Sequence, residues 1–110
     1  MAMFLVDRTI PGMTEELLKE AHRLLQEAVR RISSSTRPVR YLRCTYLPDE
    51  ARCVCLFEAN DQLSVREVNE AAQVPFRRIV SAVEFWAPGV TSQGTEPRPT
   101  GDRLEGEPGA

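Results

Sequence analysis

Hydrophobic and polar positions along the chain switch between a strand period and a helix period. Residues 3–10 form an apolar run that a Pro-Gly pair ends, which predicts a first strand. After Thr14, apolar side chains recur every three or four residues up to Ile32, while charged residues occupy the other face. This spacing predicts an amphipathic helix whose amino-terminal cap is Thr14.

The second part of the chain repeats this alternation. Asn60, Asp61 and a Ser64–Glu67 capping box are the candidate caps of a shorter helix, and Pro75 ends it. The remaining predicted elements are strands at 39–46, 52–58 and 79–85, with a hairpin connection at 47–51. The resulting βαββαβ order predicts a ferredoxin-like α+β domain, with an antiparallel sheet and two helices on one face.

The carboxyl-terminal part of the sequence has a different composition. Residues 88–110 are rich in proline and glycine and contain only scattered apolar residues. Such a segment buries too little surface to offset the entropy cost of ordering it. We therefore expect one domain over residues 1–87 and a disordered tail over residues 88–110.

Charge and targeting signals exclude several classes of protein. The formal net charge is −2, without the basic surface that a nucleic-acid-binding protein needs. We find no signal peptide and no apolar run long enough to cross a membrane. We therefore expect a cytoplasmic protein that binds neither nucleic acid nor membrane, with its three cysteines as reduced thiols.

Charged side chains inside strands are the first candidates for a site. A sheet with both helices on one face leaves the other face open, where Asp7 or Arg8, Tyr41, Arg43 and Glu58 could line a pocket. Asp7 and Glu58 could act as general acid or base, and burial would raise their pKa values unless Arg8 or Arg43 pairs with them. Arg8 and Arg43 would bind an anion, and Tyr41 would donate a hydrogen bond. A structural ion pair or an exposed edge is the alternative for each carboxylate.

The cysteines and the single histidine are the other candidates. Cys53 and Cys55 share one face of the third strand and are poorly placed for a disulfide with each other, while Cys44 lies on the neighbouring strand. Three soft ligands could bind a metal, although buried cysteine also behaves as a small hydrophobic residue. His22 flanks the apolar stripe of the first helix, where it could supply one ligand or carry a proton.

Several of these motifs resemble a known family. They are the Val-Asp-Arg-Thr-Ile-Pro-Gly run at 6–12, Arg43, the Cys-Leu-Phe-Glu-Ala run at 55–59, the helix from Val65 to Ala72, and Pro75. Over residues 3–85 the chain resembles a small bacterial family of ferredoxin-like domains of unknown function, DUF4242-like, that includes a nickel-binding protein. The resemblance implies a homodimer, whose open sheet faces would pack as a dimeric α/β barrel, and makes nickel a candidate ligand. Asn69 stands where family members commonly carry histidine, a ligand that nickel favours.

The sequence leaves three functions open. The first is a homodimer that binds a small organic ligand in a sheet-lined cavity, with isomerase or cyclase chemistry if it is an enzyme. No phosphate loop or dinucleotide fingerprint indicates a cofactor. The second is binding of nickel or another divalent metal, and the third is a non-catalytic interaction module that uses the acidic tail. For the first function, the predicted catalytic residues are Asp7, Glu58 and Arg43, and the predicted ligand-binding residues are Arg8, Tyr41, Asn69, Cys55 and His22.

Overall fold

A computed structural model describes residues 1–90 and confirms the predicted α+β class and βαββαβ order. The elements are β1 Ala2–Thr9, α1 Glu15–Ile32, β2 Val39–Leu47, β3 Arg52–Ala59, α2 Gln62–Ala72 and β4 Arg78–Ala82. The strands form one antiparallel sheet in the order β2-β3-β1-β4. Within this part of the chain, neither helix is long and apolar enough to cross a membrane. Most of the predicted tail lies outside the described residues, so its disorder stays a prediction.

Helix α1 forms where its capping signal predicts. The Thr14 hydroxyl accepts a hydrogen bond of 3.1 Å from the Leu17 amide and satisfies a donor that the first turn leaves free. Acidic residues lie in the first turn, and Arg30 and Arg31 lie in the last, as the helix dipole favours. The apolar stripe places Leu25 and Ala28 in the core, so α1 covers one face of the sheet.

Helix α2 begins one turn earlier than a cap at Ser64 would place it. The Asp61 carboxylate caps the helix by accepting a 2.8 Å hydrogen bond from the Ser64 amide. The predicted Ser64–Glu67 capping box is therefore wrong, because Ser64 already lies inside the helix. Ser64 and Glu67 both accept hydrogen bonds from Arg37, which tie the start of α2 to the loop before β2.

Strand β4 is shorter than its apolar pattern predicts. Its last pair with β1 joins Ala82 to Met3, and β1 begins at Ala2, so only one residue of β1 extends beyond this pair. The prediction of a strand to residue 85 is wrong for this reason. Beyond the strand, Phe85 is 94% exposed.

The core lies between the two helices and one face of the sheet. Its strand residues alternate with residues of the other face, and the helices contribute their apolar stripes. The buried core consists of Phe4, Val6, Leu25, Ala28, Val39, Cys53, Cys55, Phe57, Ala59, Val65, Val68, Ala72, Val74 and Ile79.

The opposite face of the sheet carries no helix, but the chain itself returns across it. Arg43 of edge strand β2 pairs in register with Leu56, on the face away from the helices. Glu84, which follows β4 on the other edge, forms a 2.9 Å ion pair with Arg43, and the Trp86 ring lies 5.1 Å from the Arg43 guanidinium. The segment after β4 therefore crosses part of the face that was expected to be open.

Candidate functional site

A β-bulge in β2 decides which side chains meet under helix α1. The register passes from Tyr41 opposite Phe57 to Arg43 opposite Leu56, so Leu42 is the extra residue. Simple alternation places Tyr41 and Cys44 on opposite faces, but the extra residue brings both to the helix-covered face. Tyr41, which was a candidate for the open face, therefore lies on the helix-covered face.

A cavity of about 240 Å³ lies between α1 and this face of the sheet. Apolar side chains such as Leu25 form part of its wall. Its polar lining consists of the three cysteines and of Arg8, Lys19, His22 and Tyr41. None of the described carboxylates lines it, so the polar groups of this cavity are cysteine sulfur atoms and groups that carry positive charge or donate hydrogen bonds.

The three cysteines meet at one wall of the cavity. The Sγ atoms of Cys44, Cys53 and Cys55 all lie within 4.8 Å of one another. Cys44 and Cys53 are joined as a disulfide, and Cys55 is a fully buried free thiol. The expectation of three reduced thiols is therefore wrong for two of them, because the bulge turns Cys44 toward Cys53. Cys53 and Cys55 form no disulfide with each other, as expected.

The spacing of these sulfur atoms resembles that of metal ligands. Tetrahedral thiolate sites with metal–sulfur bonds of about 2.3 Å have sulfur atoms about 3.8 Å apart. The Sγ atoms of Cys53 and Cys55 are 3.8 Å apart. Reduction of the disulfide would add Cys44 as a third sulfur ligand on the same side of the sheet.

Arg8 lies beside Cys55 and links it to Asn69 of helix α2. Arg8 projects from β1 on the helix-covered face, opposite Cys53 in register, and is 1% exposed. Its Nη2 donates to Asn69 Oδ1 at 2.8 Å and to Cys55 Sγ at 3.4 Å. Asn69 in turn donates to the Val65 carbonyl of its own helix at 2.8 Å. Arg8 therefore does not belong to the open face.

Tyr41 and His22 form the rim of the cavity. The Tyr41 Oη and His22 Nδ1 atoms are 2.8 Å apart, and the Tyr41 ring stacks on Phe57 with centroids 5.0 Å apart. Burial raises the pKa of Tyr41, and the neighbouring Cys55 raises it further. The hydroxyl therefore stays protonated, so that it can donate a hydrogen bond.

Asp7 lies on the other face of the sheet, among different partners. Its carboxylate accepts hydrogen bonds from Arg52 at 3.0 Å and from Arg78 at 3.3 Å. Burial alone would raise the pKa of Asp7, but the hydrogen bonds and the positive charges of Arg52 and Arg78 together outweigh it and lower the pKa below its ordinary value. The predicted partners Arg8 and Arg43 do not pair with it, since Arg8 faces the helices.

The other two predicted catalytic residues are also ion-paired on this face. Glu58 binds Arg40 at 3.0 Å, and Arg43 binds Glu84 at 2.9 Å. The structure thus separates the predicted set into two groups. Asp7, Glu58 and Arg43 lie away from the cavity. Arg8, Tyr41, Cys55 and His22 line the cavity, with Asn69 bonded to Arg8.

Cys44 and Cys53 are the residues that the predicted site omitted. Their sequence signal was present, because a Cys-x-Cys pair on one strand and a third cysteine on its hairpin partner place three sulfur atoms close together. The bulge that turns Cys44 to the same face leaves no comparable signal in the residue pattern.

Comparisons with known proteins agree with this fold. The crystal structure of SCO4226 from Streptomyces coelicolor A3(2) is similar, with a TM-score of 0.64 and 22% sequence identity. The match covers 78% of this chain and 100% of that one. At this identity the likeness shows the fold alone. No curated protein matches the sequence.

A match to a family model identifies the family of the chain, which the likeness in fold does not. The model described as "Nickel responsive protein SCO4226-like" matches residues 4–81. This agrees with the resemblance to a family that includes a nickel-binding protein, although the DUF4242 designation is not confirmed. The chain belongs to the SCO4226-like family of nickel responsive proteins.

Proposed function

We propose that the reduced protein binds one divalent transition-metal ion through the thiolates of Cys44, Cys53 and Cys55. The observation that carries this proposal is the approach of the three Sγ atoms to within 4.8 Å of one another. Thiolates suit thiophilic metals such as Zn²⁺, and the family description makes Ni²⁺ the first ion to test. The second function predicted from the sequence, divalent-metal binding, is thus the better supported one.

Metal binding and the disulfide exclude each other. A disulfide sulfur atom no longer offers a thiolate, so the Cys44–Cys53 bond removes two of the three ligands. A dithiol reductant supplies the two electrons and two protons that convert this bond into two thiols, and is itself oxidised to a disulfide. The metal content of the protein would therefore follow the thiol redox state of its surroundings.

Metal titration of the reduced and oxidised forms tests the proposal. We expect reduced protein to bind one ion per chain with Kd of about 1 µM or tighter, about −8 kcal/mol. The oxidised protein should bind at least about 100-fold more weakly, a loss of about 2.7 kcal/mol. Calorimetry with Zn²⁺ measures the affinity, and a near-ultraviolet thiolate-to-metal charge-transfer band reports Ni²⁺ coordination.

Two substitutions identify the ligands. Cys55→Ser leaves the disulfide pair intact but removes one sulfur, and should weaken binding by the reduced protein. Arg40→Gln is the control, because Arg40 pairs with Glu58 on the other face of the sheet, away from the cysteine cluster. Binding by the reduced wild type that is no tighter than about 1 mM, about −4 kcal/mol, would show that the proposal is wrong.

A small organic ligand remains a second candidate because the cavity of about 240 Å³ is partly apolar. Isomerase or cyclase chemistry has less support, because Asp7 and Glu58 lie on the opposite face in ion pairs. Native mass spectrometry of protein taken from cells would detect a bound ligand, a metal and the predicted homodimer in one measurement. The interaction module that uses the tail also stays a prediction.

A further inference from the structure

Arg8 is a buried permanent charge in the wall of the cavity. It is the largest of the fully buried side chains of the described chain, at 1% exposure. Guanidinium stays protonated in proteins, so Arg8 carries its positive charge at any physiological pH. A buried charge is costly unless a group of opposite charge lies beside it.

The hydrogen-bond partners of Arg8 leave this charge almost uncompensated. Nη1 donates to the carbonyls of Val74 at 3.3 Å and Pro75 at 3.1 Å. Nη2 donates to Asn69 Oδ1 at 2.8 Å and to Cys55 Sγ at 3.4 Å. Three of these four acceptors are neutral, and Cys55 is the one that can become an anion.

No carboxylate of the described chain lines the cavity or accepts a hydrogen bond from Arg8. Among the described residues that line the cavity, the charged or titratable groups of α1 are Lys19 and His22, and neither can be negative. Asp7, the neighbour of Arg8 in β1, faces the other side of the sheet and binds Arg52 and Arg78 there. The anion that balances Arg8 must therefore come from the cysteines or from a ligand.

We propose that Arg8 is the counter-ion of the metal centre, an inference that rests on the proposed function. A divalent ion that binds three thiols releases three protons and leaves a complex of charge −1. With the guanidinium of Arg8 beside Cys55, the buried group of metal, thiolates and Arg8 is neutral. Arg8 thereby compensates the negative charge that remains when three thiolates bind a divalent ion.

Arsenite provides a probe that separates this role from a structural one. Arsenous acid reacts with three thiols to give an arsenic tris-thiolate and three water molecules. This complex is neutral by itself and gains nothing from a counter-ion. A substitution that only displaces the cysteines should weaken binding of both probes, whereas loss of the counter-ion should weaken binding of the divalent ion alone.

The experiment compares Zn²⁺ and arsenite binding by reduced wild type and by Arg8→Gln, which removes the charge but keeps an amide donor. We expect Zn²⁺ affinity to fall by about 10- to 100-fold while arsenite affinity stays within about threefold. Arg8→Lys, which keeps the charge, should retain most of the Zn²⁺ affinity. Arg40→Gln is the matched control, since it removes the same charge from an ion pair with Glu58 on the other face, and should change neither affinity.

The outcomes distinguish this inference from the proposed function. Equal losses for both probes, or no loss for Zn²⁺, would overturn the role of Arg8. If Arg8→Gln does not fold, Arg8→Lys decides instead: an unchanged ratio of Zn²⁺ to arsenite affinity supports the role, and an altered ratio overturns it. Failure of the wild type to bind Zn²⁺ or Ni²⁺ would overturn the proposed function itself.

Discussion

Asp7 and Arg8 are adjacent in the sequence, but their side chains lie on opposite faces of the sheet. Alternation along β1 turns Asp7 away from the helices, where Arg52 and Arg78 cover it, and turns Arg8 into the cavity. The two arginines that pair with Asp7 have side chains that are 32% and 62% exposed. Because water screens these ion pairs, we expect Asp7 to contribute to stability modestly.

The pH dependence of stability tests the role of Asp7. Its pKa is lower in the folded protein than in the unfolded chain, so its contribution is fully present above about pH 4, the ordinary Asp value, and is lost as pH falls through the folded pKa. At pH 7, Asp7→Asn should lower the free energy of unfolding by about 1–2 kcal/mol. Urea unfolding at pH 7 and at pH 2.5 measures this difference.

The difference between wild type and Asp7→Asn should be smaller at pH 2.5 than at pH 7, because protonation of Asp7 removes its charge as the pH falls. A difference that is the same at both pH values would mean that packing, and not charge, explains the cost. Glu58→Gln offers a comparison on the same face, since it removes one exposed ion pair to Arg40.

The β2–β3 hairpin is the element that assembles the candidate site. The bulge in β2 turns Tyr41 and Cys44 to the helix-covered face, and strand β3 supplies Cys53 and Cys55. The disulfide joins residues nine positions apart, across the turn of this hairpin. The same cross-link that prevents metal binding therefore also constrains the unfolded chain.

Reduction of the disulfide should destabilise the metal-free protein. A cross-link that closes a loop of this length stabilises by about 2–3 kcal/mol in the chain-entropy treatment. Thermal unfolding with and without a reductant measures the loss. Zn²⁺ at about 100 times its Kd should restore about 2.7 kcal/mol to the reduced form.

Cys53→Ser is the control for this prediction, because it has no disulfide and its melting temperature should not respond to reductant. Cys55→Ser keeps the disulfide and should respond as the wild type does. Equal melting temperatures for oxidised and reduced wild type would contradict the expected stabilisation.

At the scale of the whole molecule, the two faces of one sheet have different roles. The helix-covered face holds the core and the cavity, while the other face carries ion pairs and the returning segment with Glu84 and Trp86. The predicted homodimer would have to form around that segment. The core and the cavity are made by residues that precede Ala82, the last residue of β4.

A chain that ends at Val90 should therefore keep its stability and its metal affinity. A chain that ends at Ala82 also loses the contacts of Arg43 with Glu84 and Trp86, which should cost about 1 kcal/mol and lower the melting temperature by a few degrees. Thermal unfolding of both truncated chains measures this. A large loss in the chain ending at Val90 would show that the remaining residues contribute to the fold.

Most elements follow from local signals. Thr14 caps α1, Asp61 was among the candidate caps of α2, and the apolar periods predict all four strands in their correct order. The error in the length of β4 occurs where pairing with a neighbouring strand sets the end of the element. β4 ends at Ala82, where β1 extends only one residue, Ala2, beyond its last pair.

The candidate site was predicted less completely. Arg8, Cys55, Asn69, Tyr41 and His22 were predicted as ligand-binding residues, and the structure places them in or next to one cavity. The residue pattern alone did not decide which face of the sheet carries the pocket, and the cavity lies on the helix-covered face. The three predicted catalytic residues lie outside the cavity, although no observation tests their role in catalysis.

The sequence by itself determined the class of fold, its order of elements and the presence of three cysteines on a predicted hairpin. These follow from the local propensity and the hydrophobic periodicity of each segment, which do not depend on the rest of the chain. Only the tertiary structure decided that Tyr41 and Cys44 share a face and that Arg8 lies beside Cys55. Both outcomes depend on register between strands, and one extra residue at a bulge reverses the face of every residue that follows it.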